Sequence, residues 1–150
     1  MQKAIILLCL AVSVFSVNGY SQDYHLAVGV RLSNSSPTLN NAVTGKYFVT
    51  NQTAIEGIVS FGSRFGFGGL LEIHKPTNIQ GLKWFYGAGA YLGFQHNNIY
   101  IGPTGILGLD YRFPQVPINL SLDWKPELDI LPEINFIPDA FALSVRFTLK

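Results

Sequence analysis

The sequence has a single cysteine, Cys9, and it lies in an apolar run at the N-terminus. Beyond that run there is no thiol, which excludes a disulfide framework and a thiolate metal site from the rest of the chain. Charge is scarce as well. Asp, Glu, Lys and Arg make up 13% of the residues, against about 25% in an average soluble domain. Acids and bases number nine and ten, so no nucleic acid or acidic polymer is indicated as partner. Hydrophobic residues are 48% of the chain, yet no apolar stretch after the N-terminus is long enough for a membrane helix. Glycines and regularly spaced polar residues break the apolar content up instead.

The N-terminus accounts for part of that hydrophobicity. Lys3 gives a short positive start, Ala4 to Val17 are mainly apolar, and Asn18, Gly19, Tyr20 and Ser21 form a polar, small-residue exit. This is the pattern of a secretory signal peptide, with cleavage expected after Ser21 or, alternatively, after Gly19. The apolar run falls short of the ~18 residues of a spanning anchor. Leu8 precedes Cys9 and the run continues past it, which excludes lipidation at a cleavage site. The expected organisation is a leader over 1–21 and one domain over 22–150. Removing the leader takes away Lys3 and no acid, leaving nine bases and nine acids.

Along 22–150 the dominant signal is alternation with a period of two, which marks strands with unlike faces. Phe141, Leu143, Val145, Phe147 and Leu149 alternate with Ala142, Ser144, Arg146 and Thr148. Leu26, Val28, Val30 and Leu32 alternate with Ala27, Gly29, Arg31 and Ser33. Ile118, Leu120, Leu122 and Trp124 oppose Asn119, Ser121, Asp123 and Lys125. The pattern predicts strands over 24–33, 40–49, 53–62, 65–75, 83–95, 99–113, 117–125 and 138–149, and no helix. Most reach the ~9–11 residues of a tilted membrane strand. The expected fold is all-β: an antiparallel transmembrane β-barrel of about eight strands.

Alternation does not say which face points inward. The polar face decides it, because it is poor in charge and rich in Gly, Ala and Ser, which suits a crowded lumen better than a water-facing exterior. Aromatic residues also gather at strand ends. Tyr24, Tyr47, Trp84, Tyr86, Tyr111, Phe113 and Phe147 fall at one end, and Phe61, Phe65, Phe67, Phe94, Tyr100, Trp124 and Phe141 at the other. Two such groups correspond to girdles at two membrane interfaces. If the chain starts on the periplasmic side, the links near 49–52, 76–82 and 114–117 are periplasmic turns. Those near 34–39, 63–64, 95–98 and 126–138 then face outward, the last being the longest.

Several segments resemble the small outer-membrane β-barrel proteins of Bacteroidota-type bacteria. They are Gly45-Lys46-Tyr47-Phe48, Ala54-Ile55-Glu56-Gly57-Ile58, Glu72-Ile73-His74-Lys75-Pro76, the run Leu82 to Gly89, the run Gly105 to Tyr111, and the run Ile118 to Pro126. The resemblance implies a porin-like membrane barrel in the Gram-negative outer membrane, with lipid and the barrel-assembly machinery as partners. It implies no common reaction and no catalytic residues. The final strand of that family commonly ends on an aromatic residue, whereas here Phe147 is followed by Thr148, Leu149 and Lys150.

Reactive constellations are few. His74 and Glu72 share a strand face and could begin a metal site, but no second ligand pair accompanies them. A lipid hydrolase would need a serine activated by a histidine and oriented by an acid, and no histidine has a serine two residues on. Gly87-Ala88-Gly89 lies within a strand and has Leu92 where a dinucleotide loop would carry its third glycine. No catalytic, cofactor or metal residues are assigned. The constellation with physical content is the set of inward charges: Arg31, Lys46, Arg112, Lys125 and Arg146 with Glu56, Glu72, Asp110 and Asp123. In a narrow lumen these should pair, since an unpaired buried charge is costly. An eight-strand barrel is just filled by its side chains. The expected function is therefore a non-enzymatic, monomeric barrel with a structural or surface-interaction role, plugged by ion pairs. The alternatives are a barrel that binds or transports a small ligand and, third, a lipid-modifying enzyme.

Overall fold

A computed structural model describes residues 24–33, 41–62, 64–138 and 140–149. The expected leader lies outside the described residues, as does the expected link at 34–39. The described chain contains ten strands and no helix: β1 (Leu26–Ser33), β2 (Ala42–Phe48), β3 (Thr53–Phe61), β4 (Phe65–Pro76), β5 (Leu82–Gln95), β6 (Asn98–Arg112), β7 (Ile118–Trp124), β8 (Glu127–Asp129), β9 (Asn135–Ile137) and β10 (Phe141–Leu149). Eight of these are the staves of a closed antiparallel barrel. Neighbours run β5-β4-β3-β2-β1-β10-β7-β6, and β5 pairs with β6 to close the ring. Closure leaves no stave with an unpaired edge, so the ladder hydrogen bonds are satisfied within one chain.

The turns follow from local chemistry. Gln95 pairs with Asn98, so His96 and Asn97 form a two-residue hairpin. Both have positive φ, 52° and 21°, as the twist-matched hairpin turn requires. Thr50 closes the β2–β3 turn by accepting from the Thr53 amide at 3.0 Å through its hydroxyl. In the β4–β5 turn Gly81 has φ 85°, and a Cβ there would stand 2.7 Å from the Arg112 carbonyl oxygen.

The polarity of the barrel is reversed relative to a soluble one. Val30, Leu32, Ile55, Leu71, Leu107 and Leu122 point outward and are exposed, while Arg31, Lys46, Glu56 and Glu72 are fully buried inside. The lumen also holds an apolar cluster of Ala42, Ile58, Leu70, Phe85, Tyr91 and Ile106. Space inside is tight. A Cβ on inward-facing Gly89 would lie 1.9 Å from the Gly69 carbonyl oxygen, so the glycines on that face of β5 are set by the close approach of β4.

Two sequence expectations are corrected. The stretch 126–138 is not an open link: it contains the hairpin β8–β9. Trp124 pairs with Leu107 and Glu127 with Thr104, so β8 carries the β7 register onward along β6 past Pro126. The Gly105 amide and the Thr104 hydroxyl both donate to the Pro126 carbonyl, at 3.3 and 2.7 Å. The proline is accommodated because its carbonyl, rather than an amide it does not have, serves the ladder. Second, not every end-of-strand aromatic is in a girdle. Tyr24 packs edge-on against Phe48 at 5.2 Å near one mouth of the lumen. Tyr100 lies beneath the Arg64 guanidinium at the other, 3.3 Å from ring centroid to charge centre. Outward aromatics still form two groups: Tyr47, Trp84, Tyr86 and Phe113 at one end, and Phe61, Phe65, Phe94, Trp124 and Phe141 at the other.

Candidate functional site in the barrel lumen

Period-two alternation puts every second residue of eight strands into one narrow channel, so charges far apart in sequence meet there. Near the mouth that carries the β2–β3, β4–β5 and β6–β7 turns, Lys46 of β2 approaches Glu72 of β4 at 2.9 Å and Asp110 of β6 at 3.9 Å. His74 reaches the same Glu72 oxygen at 2.9 Å through Nε2. Its ring stacks on Phe85 at 4.8 Å, and the Lys46 ammonium sits 4.5 Å over that same Phe85. Asn119 donates to Asp110 at 2.9 Å.

One step further in, Arg146 of β10 pairs with Glu56 of β3 across the lumen and also donates to Ser121 Oγ at 2.8 Å. The Thr44 hydroxyl donates to the same Glu56 oxygen. Oε2 of Glu56 and Oε1 of Glu72 are buried without a hydrogen-bond partner. Above this, Arg31 of β1 makes two parallel bonds to Asp123 of β7, both 2.6 Å. This bidentate arrangement is the strong form of the pair. Lys125 then meets Glu127 at 2.9 Å.

At the far mouth Asp129 accepts from Arg64 at 3.0 Å and from the Tyr91 hydroxyl at 2.7 Å. These contacts tie β8 to the β3–β4 turn and to β5. The charges thus form a ladder of pairs from one mouth to the other, with both partners of each rung buried.

Of the nine inward charges named from sequence, Arg31, Lys46, Glu56, Glu72, Asp110, Asp123, Lys125 and Arg146 are buried in this ladder. Arg112 is only half-buried and stands at the rim, its charge centre 5.5 Å over the Tyr24 ring. Four members were not among those nine: Arg64, His74, Glu127 and Asp129. For Glu127 and Asp129 the signal was present, since Asn119, Ser121, Asp123, Lys125, Glu127 and Asp129 keep one parity straight through Pro126. Arg64 sits in a tight turn, where alternation carries no information.

Among the described residues, no group of three or more His, Cys, Asp or Glu could hold a metal ion. The Lys46 ammonium occupies the space beside Glu72, at 2.9 Å, and Asp110 lies 3.9 Å from both that ammonium and His74 Nδ1. The chain matches no protein-family model and no curated protein. The fold and lumen define its class: a small eight-stranded antiparallel barrel, apolar outside, with its interior crossed by buried ion pairs.

Proposed function

We propose that the chain is an exported, non-enzymatic outer-membrane barrel, monomeric, with a structural or surface-interaction role and a lumen closed by its ion-pair ladder. The observation that carries this reading is the reversed polarity of a closed barrel. Every stave turns exposed apolar residues outward, while the charges of the ladder are buried. Soluble monomers rarely expose contiguous apolar patches beyond a few hundred Å². Acyl chains are the solvent in which such an exterior costs nothing. The two groups of outward aromatics suit the two interfaces of a bilayer. The resemblance to small outer-membrane barrels of Bacteroidota-type bacteria points the same way, and the leader over 1–21 would supply export.

Lipid is then the lasting partner, and the barrel-assembly machinery a transient one at insertion. The test is cell fractionation followed by refolding of the purified chain. The protein is expected in the outer-membrane fraction, soluble only with detergent, and with gel mobility that changes on boiling. Recovery of a folded, monodisperse protein from the periplasm without detergent would refute the reading.

A further inference from the structure

We infer that the β8–β9 hairpin lies in the outer leaflet, with lipid acyl chains covering its outward face. This inference rests on the membrane reading above and extends it to a segment that rises beyond the aromatic group at that end of the barrel.

The hairpin is two-faced. Leu128 pairs with Phe136, and Glu127 and Asp129 pair with Ile137 and Asn135. Cross-strand partners share a face of the sheet, so Leu128 and Phe136 lie together on the side opposite the buried Glu127 and Asp129. Beyond Asp129, Ile130 and Leu131 are both exposed, and Leu131 bridges outward Ile101. Phe136 is 59% exposed, Ile130 50% and Ile134 81%. The inward face is anchored by Asp129 on Arg64 and Tyr91, and the backbone by the Ile130 amide donating to the Ile101 carbonyl at 2.8 Å. The exposed face is therefore fixed in direction.

That direction is the direction of the apolar belt. Ile99 and Ile101 on the neighbouring β6 are also exposed. Leu107, Trp124, Leu128 and Ile130 form one outward run with them, in which no charged residue intervenes. A protein-binding patch would be expected to have a polar rim around it; here the hairpin merges with the belt without one. Height agrees. At a rise of about 3.3 Å per residue and a tilt of about 40°, Leu128 stands roughly 25 Å above Ile118 along the barrel axis, which matches a membrane-barrel apolar band of about 25 Å. The hairpin base is then within the hydrocarbon, and its tip, with exposed Glu133, at the outer head groups. On the opposite wall β2 has seven residues, which by the same geometry span only about 15 Å. The belt is lopsided, and the bilayer follows the tall wall on this side.

The test uses single cysteines, because Cys9 is the sole cysteine and belongs to the expected leader. Phe136→Cys, Leu122→Cys and Thr50→Cys, each carrying a fluorophore, are refolded into phosphatidylcholine vesicles with and without brominated acyl chains. Each is also titrated with aqueous iodide. Leu122 is on the belt, Thr50 in an exposed turn, and Phe136 beside Leu128 on the outward face of the hairpin. Folding of each variant is checked by the heat-dependent gel shift, and Leu128→Cys replaces Phe136→Cys if the latter does not fold. Bromolipid is expected to quench the labels at 122 and 136 and to spare the label at 50, with iodide doing the reverse. A label at 136 quenched by iodide and not by bromolipid, with 122 responding to bromolipid, would overturn the hairpin inference and leave the membrane reading standing. A label at 136 shielded from both would assign the face to a protein partner or a second copy, and also overturn it. If 122 does not respond to bromolipid, the membrane reading itself fails.

Discussion

The pair Arg31–Asp123 offers the sharpest test of whether the lumen is a plug. Both side chains are buried, and the guanidinium meets the carboxylate through two 2.6 Å bonds. Breaking a buried pair by removing one partner typically costs about 3–5 kcal/mol, because the survivor is left as an uncompensated charge. Asp123→Asn should fall at the lower end, about 3 kcal/mol, since the amide oxygen still accepts one of the two bonds. Arg31→Met should cost about 3–5 kcal/mol, because it leaves the buried Asp123 carboxylate without the guanidinium that meets both of its oxygens. The double variant should be less damaged than the two losses added together, by about 2 kcal/mol or more, as expected for groups in direct contact. The assay is reversible folding in urea with phospholipid vesicles, followed by the emission of Trp84 and Trp124. These are the two tryptophans of the chain, and both face outward. Losses below about 1 kcal/mol in both single variants, with strict additivity in the double, would mean that the charges are hydrated and apart. The closed-ladder description of the lumen would then be wrong.

Four further outcomes follow from the facing and packing of the strands. Leu120→Arg puts a charge on the lipid side near mid-height and should cost about 2–4 kcal/mol in the same urea titration. Ser121→Arg should also be destabilising, because Ser121 Oγ accepts from Arg146 and the new cation would stand against that guanidinium. Tolerance at 121 would contradict this contact. Gly29→Ala should destabilise by more than 1 kcal/mol, since its Cβ would lie 1.9 Å from the Val145 carbonyl oxygen, whereas Gly57→Ala meets nothing within 4 Å and should be neutral or slightly stabilising. Equal effects in thermal unfolding would contradict the assigned packing. In planar bilayers the monomer should show at most small, rare openings, and Arg146→Ala or Glu56→Ala should raise their frequency. Stable porin-sized steps from the wild type would refute the plug.

How much of this was legible in the sequence depended on which signal each residue carried. Strands whose two faces differ in polarity declare themselves, so all eight staves could be placed within a few residues, β2 included. The sign of the barrel was legible because Arg31, Glu56, Glu72 and Arg146 occupy the face that also carries small residues. A soluble barrel would have no reason to combine buried-size constraints with charge on one face. What alternation cannot give is partner choice. Glu56 is separated from Arg146 by 90 residues and Arg31 from Asp123 by 92, and both pairings are fixed by ladder register and channel curvature rather than by local pattern. The two inward tyrosines differ. Tyr100 shares the parity of buried Thr104, Ile106 and Asp110, so alternation already places it inward, beneath Arg64. Tyr24 has the parity of outward Val28 and Val30, and its inward turn was hidden because at the strand end the pleat no longer sets direction and the ring packs on Phe48 below Arg112. Pro126 misled in the opposite sense. Proline as a strand terminator is sound where the missing amide would be needed, but at this position the ladder needs only the carbonyl, so polarity continues unbroken to Asp129. Where a breaker residue and an unbroken polar–apolar alternation disagree in a barrel, the alternation is the stronger signal: burying Glu127 and Asp129 requires the strand to go on, whereas losing one amide donor does not require it to stop.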